Sequence, residues 1–173
     1  RREYLESVRR AGAFIAASRL PAPQAAWAQQ YSHDMKPAAA RAFEPPCLSS
    51  ASTAANIRTL VDIALFTSDE KFLAPIPEAE EWIGKSRLSE NVWARMYEVG
   101  TNRPIYGDRD GKIHYTLDEI SEERRKGYSW QGEYGANGAL AYYHEVRKAG
   151  VAAYAAGRTT GTAVKPDEAR AKR

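Results

Sequence analysis

Four arginines of this 173-residue chain stand beside aromatic residues, prolines or a tight turn, where a guanidinium group is partly desolvated. They are Arg41 in Ala40-Arg41-Ala42-Phe43-Glu44-Pro45-Pro46, Arg95 between Trp93 and Tyr97, Arg103 before Pro104, and Arg109 in Asp108-Arg109-Asp110-Gly111. A guanidinium group in such surroundings needs a carboxylate or carbonyl partner, either within the protein or in a ligand. Two interpretations stay open. The first is internal ion pairing, of Arg41 with Glu44 or of Arg95 with Glu98. The second is a cleft that binds anionic groups by planar bidentate contacts.

Other catalytic chemistry has little support in the sequence. The chain contains no Gly-x-Ser-x-Gly, no glycine-rich phosphate loop ending in Lys-Ser/Thr and no His-Glu-x-x-His. Asp108-x-Asp110-Gly111 has the opening of a calcium loop but lacks its later oxygen ligands, so it predicts a tight turn. Asp34 and Glu44 are candidates for a general acid/base pair, for which spacing gives no distance. Phosphoryl and hydride transfer are therefore disfavoured.

The amino-acid composition excludes further classes of function. The chain has 25 Lys and Arg against 22 Asp and Glu, a net charge of +3. Residues 157–173 alone hold five basic and two acidic residues, so the rest of the chain is neutral. This tail is predicted to be a disordered, solvated end, and DNA or RNA binding would rest on it alone. A single cysteine, Cys47, excludes an intramolecular disulfide framework. No stretch approaches the roughly 20 apolar residues of a membrane span, so no membrane partner is expected.

Helices are predicted where apolar residues recur at three- and four-residue steps. The first covers Glu3 to Leu20 and has one face to bury, formed by Tyr4, Leu5, Val8, Ala11, Ile15 and Leu20. A second begins at Ser52 or Thr53 and ends near Thr67, and a third runs from Pro77 to about Lys85. These two are expected to lie head to tail, as in stacked helical hairpins. The stretch from Ala25 to Cys47 is predicted to be an irregular connection because prolines interrupt it.

The second half of the chain predicts a mixed structure. Partial alternation over Asn91 to Tyr115, with an Asp-Gly turn, indicates a small β-hairpin element near 92–115. The capping box Thr116 to Glu119 predicts a helix that ends at Gly127. A last helix is expected from about Ala139 to Lys148, ending at Gly150. The fold class is therefore mainly α with a small β element.

Four segments of the chain resemble, in order, motifs from the carboxyl-terminal half of the pectate lyases of polysaccharide lyase family 10. They are Trp27–Tyr31, Lys36–Ser49, Trp93–Gly111 and Glu123–Trp130. The resemblance covers about residues 3 to 135. It implies a domain division into a carboxyl-terminal lyase portion (1–135), an additional helix (136–156) and the basic tail (157–173).

The resemblance implies an α/α toroid of stacked helical hairpins, with a substrate groove lined by irregular connections. A toroid that lacks half its hairpins exposes the apolar faces of those that remain. The implied reaction is β-elimination on polygalacturonate, in which a base removes the proton at C5 and calcium bridges the uronate carboxylate to acidic side chains. Those calcium ligands are expected mainly in the amino-terminal half, which this chain does not contain. The implied localisation is secreted or periplasmic, although the chain starts at Arg1 without a signal peptide, so we expect its natural start to have been removed.

The resemblance also assigns roles to individual residues. Arg41 takes the position of the catalytic base, an unusual role for a group with a pKa above 12. The remaining implied positions bind substrate: Arg95, Arg103, Arg109, Gln30 and Tyr31.

Two positions depart from the family pattern. Ser32 and Ser52 stand where the family commonly has acidic residues. This departure leaves a second hypothesis open, in which the chain is a non-catalytic module that binds acidic polysaccharide.

Overall fold

The computed structural model describes residues 2–161, of which about half are helical. Six α-helices lie within these residues: α1 (Arg2–Ser18), α2 (Ser50–Thr67), α3 (Ile76–Lys85), α4 (Glu122–Gly127), α5 (Ala136–Ala149) and α6 (Val151–Gly161). Short 3₁₀ turns cover Glu70–Leu73 and Leu117–Glu119. Across this part of the chain, no helix is both long enough and apolar enough to cross a membrane.

Seven short strands form two antiparallel sheets. They are β1 (Cys47–Ser49), β2 (Arg87–Ser89), β3 (Val92–Ala94), β4 (Met96–Glu98), β5 (Pro104–Gly107), β6 (Ile113–His114) and β7 (Gln131–Gly132). One sheet has the order β1-β4-β5-β6 and the other the order β2-β3-β7. The β structure is thus larger than the predicted element near 92–115, because β1, β2 and β7 come from outside that segment and pair with strands inside it.

The predicted tight turn between β5 and β6 is confirmed. Tyr106 of β5 lies opposite His114 of β6, and the Gly111 amide donates to the Asp108 carbonyl at 3.3 Å. Gly111 has a φ of +69°, which glycine adopts without strain. The turn holds Asp108 and Arg109 at one end of the four-stranded sheet.

Helix α2 is the centre of the helical layer, and it begins earlier than predicted. Its buried side chains pack against α1, α3, α5 and α6. The cap is Ser49, whose hydroxyl accepts a bond from the Ser52 amide at 3.2 Å. Thr53, one of the two predicted caps, instead accepts a bond from the Trp27 amide inside the core. The Thr53 hydroxyl is therefore occupied by a tertiary contact, and Ser49 takes the capping role.

The toroid implied by the resemblance is not seen in this chain. Helix α3 follows α2 through a 3₁₀ turn, but α2 packs mainly against α5 and α1. Within residues 2–161 the helices do not close into a ring of hairpins. The fold consists of a layer of helices, which contain about half of the described residues, and two small antiparallel sheets beside it.

Helix α1 buries only part of the apolar face that its sequence predicts, through Val8 and Ile15. Only Gly12 and Ser18 of this helix are buried, and Tyr4 is 77% exposed. Gly12 allows a close approach, because a Cβ there would lie 2.6 Å from the ring of Phe72. The helix ends at Ser18 instead of Leu20. The helix packs mainly against α2, and the Trp27 indole donates a hydrogen bond to its Ile15 carbonyl at 2.7 Å.

The capping box at Thr116 and Glu119 is present but does not open the predicted helix. It caps only the 3₁₀ turn Leu117–Glu119, after which Ile120 is extended and buried. A separate cap, Ser121, begins α4. Burial of Ile120 in the smaller core interrupts the helix that local propensity alone would continue.

Two apolar clusters organise the molecule. The larger lies among the helices, and α5 contributes Ala139, Tyr143 and Val146 to it. The smaller lies beside the four-stranded sheet and comprises Phe43, Cys47, Met96, Ile105, Tyr106, Ile120 and Trp130. Helix α5 is longer than predicted and ends before Gly150, as expected. Helix α6 then runs past position 157, where the tail was predicted to begin, and the tail's positions 162–173 lie outside the described residues.

Candidate anion-binding site

Two aromatic rings form the base of the candidate site, at the edge of the smaller apolar cluster. Phe43 and Tyr128 lie with ring centroids 5.4 Å apart and planes at 88°, an edge-to-face pair. Phe43 comes from the irregular connection before β1, and Tyr128 from the residue after α4. Gly107 allows the first segment to approach the sheet, because a Cβ there would lie 2.0 Å from the Phe43 carbonyl oxygen. The rings are therefore positioned by contacts between distant parts of the chain.

Glu44 and Arg41 form an ion pair beside these rings. The Glu44 amide donates to the Arg41 carbonyl at 2.8 Å, which folds the segment into a turn. Arg41 Nε then donates to Glu44 Oε2 at 2.8 Å, and Arg41 Nη2 contacts Glu44 Oε1. Tyr128 completes the network by donating to Glu44 Oε1 at 2.8 Å and accepting from Arg41 Nη2 at 2.5 Å. The predicted internal pairing of Arg41 with Glu44 is thus confirmed.

The two charges of this pair differ in exposure. The Glu44 side chain is 2% exposed and the Arg41 side chain 57%. The hydrogen bonds from Arg41 outweigh the burial of Glu44 and lower the pKa of its carboxyl group to about 2. In return, the Glu44 carboxylate raises the pKa of Arg41 above its ordinary value. Arg41 is consequently a fixed cation whose exposed side faces solvent.

Two more guanidinium groups lie on the same pair of rings. Arg95 Cζ is 4.6 Å from the centroid of Tyr128, and Arg124 Cζ is 4.2 Å from that of Phe43. Arg41 Cζ lies over both rings, at 4.7 Å from Phe43 and 5.5 Å from Tyr128. We call the three arginines with Phe43, Glu44 and Tyr128 the arginine cluster. Three cations on one aromatic pair, with one carboxylate among them, leave a local excess of positive charge.

The cluster also has unused hydrogen-bonding capacity. The Nε atoms of Arg95 and Arg124 are buried and have no hydrogen-bond partner within the described residues. Burial raises the pKa of Tyr134 to about 12, although the hydrogen bond to Arg95 opposes this rise. Burial likewise raises the pKa of Tyr128. Both phenols therefore stay protonated at neutral pH, and the arginines gain no further negative partner from them.

Arg95 does not pair with Glu98, the partner that sequence spacing suggested. Glu98 contacts the hydroxyl groups of Thr101 and Tyr115 instead, the latter at 2.8 Å. Arg95 lies at a bend between β3 and β4, which belong to different sheets, so its side chain does not follow the alternation of β4, the strand that carries Glu98. The Arg95 side chain lies in the arginine cluster instead, over the ring of Tyr128.

Arg103 and Arg109 lie apart from the three clustered arginines. Arg103 Cζ stacks 3.5 Å from the ring centroid of Tyr115, beside Glu98. Arg109 forms an exposed ion pair with Glu123, the residue before Arg124 in α4. The structure thus brings Arg109 to the helix that carries Arg124, and it does not bring Arg103 to the cluster.

Gln30 and Tyr31 occupy the same irregular connection as Arg41. Gln30 is exposed, and its carbonyl accepts a bond from the Ala38 amide at 2.9 Å. The Tyr31 hydroxyl accepts from the Ala28 amide at 2.7 Å, and burial raises its pKa. Gln29, which sequence reasoning passed over, hydrogen-bonds to Glu44. The glutamine that reaches the cluster is therefore Gln29, one position before the predicted residue.

Arg124 and Tyr128 were not among the predicted site residues. Arg124 was expected only to complement the carboxyl end of its helix, yet its side chain lies on Phe43. The sequence did contain an indication that both residues belong to the site, because they fall within Glu123–Trp130, one of the segments that carry the family resemblance.

The acid/base pair suggested by Asp34 and Glu44 is absent. Asp34 contacts Ser32 and Lys36 at the surface, whereas Glu44 is buried with Arg41. The interpretation of Asp108 and Asp110 as turn residues is confirmed by their bonds to Ser121 and Lys112. Among residues 2–161, no group of three or more His, Cys, Asp and Glu side chains is placed to hold a metal ion.

The fold is similar to that of solved polysaccharide lyase structures. A family 10 polysaccharide lyase from Cellvibrio cellulosa, solved as a point mutant in complex with trigalacturonic acid, matches with a TM-score of 0.60 at 23% identity. This match covers 80% of the present chain and 49% of that one. A second structure of the family 10 polysaccharide lyase from the same organism matches with a TM-score of 0.56 at 23% identity, over 81% of this chain and 49% of its own. The present chain therefore spans about half the length of the structures that it matches.

A family model identifies the relationship more narrowly. Residues 77–138 match the model described as pectic acid lyase. No curated protein matches the chain. The resemblance drawn from the sequence is thus confirmed: part of the chain matches the pectic acid lyase model, and the fold is similar to that of family 10 polysaccharide lyases.

Proposed function

We propose that the chain binds the carboxylate groups of polygalacturonate through the arginine cluster. The observation that carries this proposal is the meeting of Arg41, Arg95 and Arg124 on one aromatic pair. Guanidinium groups bind carboxylates by paired, charge-assisted hydrogen bonds, and aromatic rings suit the apolar face of a sugar. The trigalacturonic acid bound by the Cellvibrio lyase supports this substrate class.

We further propose that the cluster supports β-elimination in the whole protein. In this reaction a base takes the proton from C5, the C4–O bond breaks, a C4=C5 double bond forms, and the leaving oxygen acquires a proton. Negative charge builds on the uronate carboxylate while the C5 proton leaves. Arginines that contact this carboxylate stabilise the transition state more than the ground state, because the charge is greatest in the transition state.

Arg41 has two alternative roles in this step. As a charged guanidinium it stabilises the carboxylate, a role that its pairing with Glu44 favours by raising its pKa. As the base, the role implied by the resemblance, it must first become neutral, which Glu44 opposes. Substitution Glu44→Gln separates the two roles. If Arg41 is the base, the variant has higher activity at a given pH below the optimum. If Arg41 acts as a cation, the pH dependence of activity does not shift, because the guanidinium group is charged with or without Glu44.

Calcium is implied by the resemblance, but the residues present do not fit a calcium site. The described part of the chain has no group of three or more His, Cys, Asp and Glu side chains placed to hold a metal ion. A calcium site in this protein would draw its ligands from elsewhere, and no step of the proposal depends on it. Secretion or export to the periplasm stays part of the proposal, on the resemblance alone.

The binding proposal is tested by titrating the 173-residue chain with trigalacturonate in a calorimeter. We expect Arg124→Gln to weaken binding by about tenfold or more, because a hydrogen bond to a charged group contributes about 1.5–3 kcal/mol. The matched control is Arg125→Gln in the same helix, since Arg125 is paired with Asp118 away from the rings. Equal affinities of the two variants would contradict the proposal. Chelation with EDTA is expected to change the affinity less than about twofold, because the guanidinium contacts need no metal.

The second candidate function is a binding module without lyase activity. It is favoured by the fixed charge of Arg41 and by Ser32 and Ser52, which replace acidic residues common in the family. The test uses the longest natural polypeptide that contains this chain. If it binds polygalacturonate but produces no rise in ultraviolet absorbance from unsaturated uronate, the binding function is supported and catalysis is not.

A further inference from the structure

Tyr128 contacts three of the four charged side chains in the arginine cluster. Its hydroxyl group donates a hydrogen bond to Glu44 Oε1 at 2.8 Å and accepts one from Arg41 Nη2 at 2.5 Å. Its ring lies beside Arg95, whose Cζ is 4.6 Å from the ring centroid. Arg41 and Glu44 come from the connection before β1, whereas Arg95 lies at the bend between β3 and β4. Tyr128 therefore joins two segments, each of which supplies an arginine to the cluster.

The ring of Tyr128 is held by apolar neighbours, independently of its hydroxyl group. It packs edge-to-face on Phe43, with centroids 5.4 Å apart, and its centroid lies 4.7 Å from that of the Trp130 ring. Phe43 and Trp130 are both buried in the smaller apolar cluster. Aromatic pairs of this kind are stabilised by buried area and by ring geometry. The apolar cluster thus sets the position of the hydroxyl group, and removal of the oxygen alone should leave the ring in place.

The guanidinium group of Arg41 is held through two of its three nitrogens. Nε donates to Glu44 Oε2 at 2.8 Å, and Nη2 contacts both Glu44 Oε1 and the Tyr128 hydroxyl group. A guanidinium group has five N–H donors, two of which belong to Nη1. Within residues 2–161, no group accepts a hydrogen bond from Arg41 Nη1, and the Arg41 side chain is largely exposed. Nη1 is therefore the nitrogen that Arg41 can offer to a carboxylate, and the bonds on Nε and Nη2 fix its direction.

The Tyr128 hydroxyl group adds a restraint that Glu44 alone does not provide. Two bonds to one carboxylate define an axis about which the plane of the Arg41 guanidinium group can tilt. The third bond, to a hydroxyl group on a ring that is anchored in the core, opposes this tilt. Binding groups are held in a narrow range of geometry when packing and hydrogen bonds to neighbouring side chains lock their rotamers. Tyr128 supplies both for Arg41.

Tyr115 provides a comparison within the same chain. Its hydroxyl group donates to Glu98 Oε1 at 2.8 Å, and Arg103 Cζ stacks 3.5 Å from its ring centroid. A tyrosine, a carboxylate and a stacked arginine thus meet here as they do at Tyr128. In the part of the chain that the structure describes, however, no hydrogen bond joins Arg103 to the Tyr115 hydroxyl group. The bond from an arginine to the tyrosine oxygen is therefore what distinguishes Tyr128.

We propose that Tyr128 is a positioning residue of the arginine cluster, whose hydroxyl group orients Arg41 so that Nη1 faces a bound uronate carboxylate. Tyr128 acts through Arg41 and needs no contact of its own with the ligand. The inference rests on the proposed function for the identity of the ligand, whereas the orientation of Arg41 follows from contacts within the chain.

The orientation of Arg41 is tested without ligand, by ¹⁵N NMR of the arginine side chains in the 173-residue chain. In the wild type we expect separate signals for Nη1 and Nη2 of Arg41, because the charge-assisted bonds on Nε and Nη2 slow rotation of the guanidinium group. In Tyr128→Phe we expect these signals to broaden or merge. Arg41→Lys identifies them by their disappearance, and Tyr115→Phe is the matched control that should leave them unchanged. Merged Arg41 signals in the wild type would overturn the proposal whether or not any variant folds.

Calorimetric titration with trigalacturonate tests the consequence of this orientation for binding. We expect Tyr128→Phe to weaken binding by about fivefold, and Tyr115→Phe to change it less than about twofold, because only the first removes a hydrogen bond to a charged group of the cluster. Unchanged Arg41 signals or unchanged affinity in Tyr128→Phe would contradict the positioning role, and so would an equal loss of affinity in Tyr115→Phe. Failure of the wild type to bind trigalacturonate would contradict the proposed function alone, since the Arg41 signals still decide whether Tyr128 orients this group.

Discussion

Two Arg–Glu pairs of this protein have the same chemistry but lie in different surroundings. Arg41 pairs with Glu44, which is 2% exposed, whereas Arg109 of the hairpin turn and Glu123 of α4 are 68% and 65% exposed. Tyr128 and the rings of the arginine cluster surround the first pair, and solvent surrounds the second. The comparison shows that burial of one partner, and not the presence of an ion pair, fixes the charge and position of an arginine.

The largest difference between the two pairs is expected on removal of the arginine. Arg41→Ala leaves the buried Glu44 carboxylate without its cation, so the melting temperature should fall by about 5 °C or more. Arg109→Ala removes an exposed pair and should change it by about 1 °C or less. Thermal unfolding followed by circular dichroism measures both values. Equal shifts would mean that the burial of Glu44 has no energetic consequence.

A smaller difference is expected in the dependence of stability on pH. The pKa of Glu44 is lowered from 4.5 to about 2 in the folded protein, so its pairing stabilises the protein above pH 4.5 and is lost as the pH falls toward 2. Glu44→Gln should therefore cost on the order of 1–2 kcal/mol in the free energy of unfolding at pH 6, a value reduced by solvent screening of Arg41. The difference in the free energy of unfolding between Glu44→Gln and the wild type should become smaller as the pH falls toward 2. Urea titrations at several pH values test this, with Glu123→Gln as the control that should show no such narrowing.

The smallest expected effect concerns salt. Exposed charges are screened within about 3 Å at 1 M ionic strength. Any stability that Arg109→Ala loses at low salt should disappear at 1 M NaCl, whereas the loss caused by Arg41→Ala should persist. Melting temperatures at the two salt concentrations provide the measurement. If the stability lost in Arg41→Ala were also restored at high salt, the Arg41–Glu44 pair would behave like the exposed Arg109–Glu123 pair.

Elements governed by local sequence were predicted well. The Asp-Gly turn between β5 and β6, the end of α5 at Gly150 and the contact of Arg41 with Glu44 all depend on residues a few positions apart. Where the predictions were wrong, a distant contact had replaced a local one. Thr53 bonds to Trp27 and so does not cap α2, and Ile120 is buried and so interrupts the predicted helix.

The candidate site was predicted only in part for the same reason. Arg41 and Arg95 were recognised from their aromatic neighbours, and both lie in the cluster. Arg124 was assigned to a helix end, because its contact with Phe43 crosses from α4 to a connection far away in the chain. The assignments of Arg103, Arg109, Gln30 and Tyr31 to substrate binding stay predictions, since nothing in the unliganded geometry tests them.

The sequence by itself determined the neutral charge of the main part of the chain, the basic tail, the approximate positions of α1, α2, α3 and α5, the tight turn and the resemblance to pectate lyases. These depend on composition, on short-range propensity and on motifs that are read along the chain. Only the tertiary structure decided that Arg41, Arg95 and Arg124 share one pair of rings. The physical reason is that the bond from Arg41 to Tyr128 joins residues 87 positions apart, which become neighbours only when strand pairing and core packing have brought their segments together.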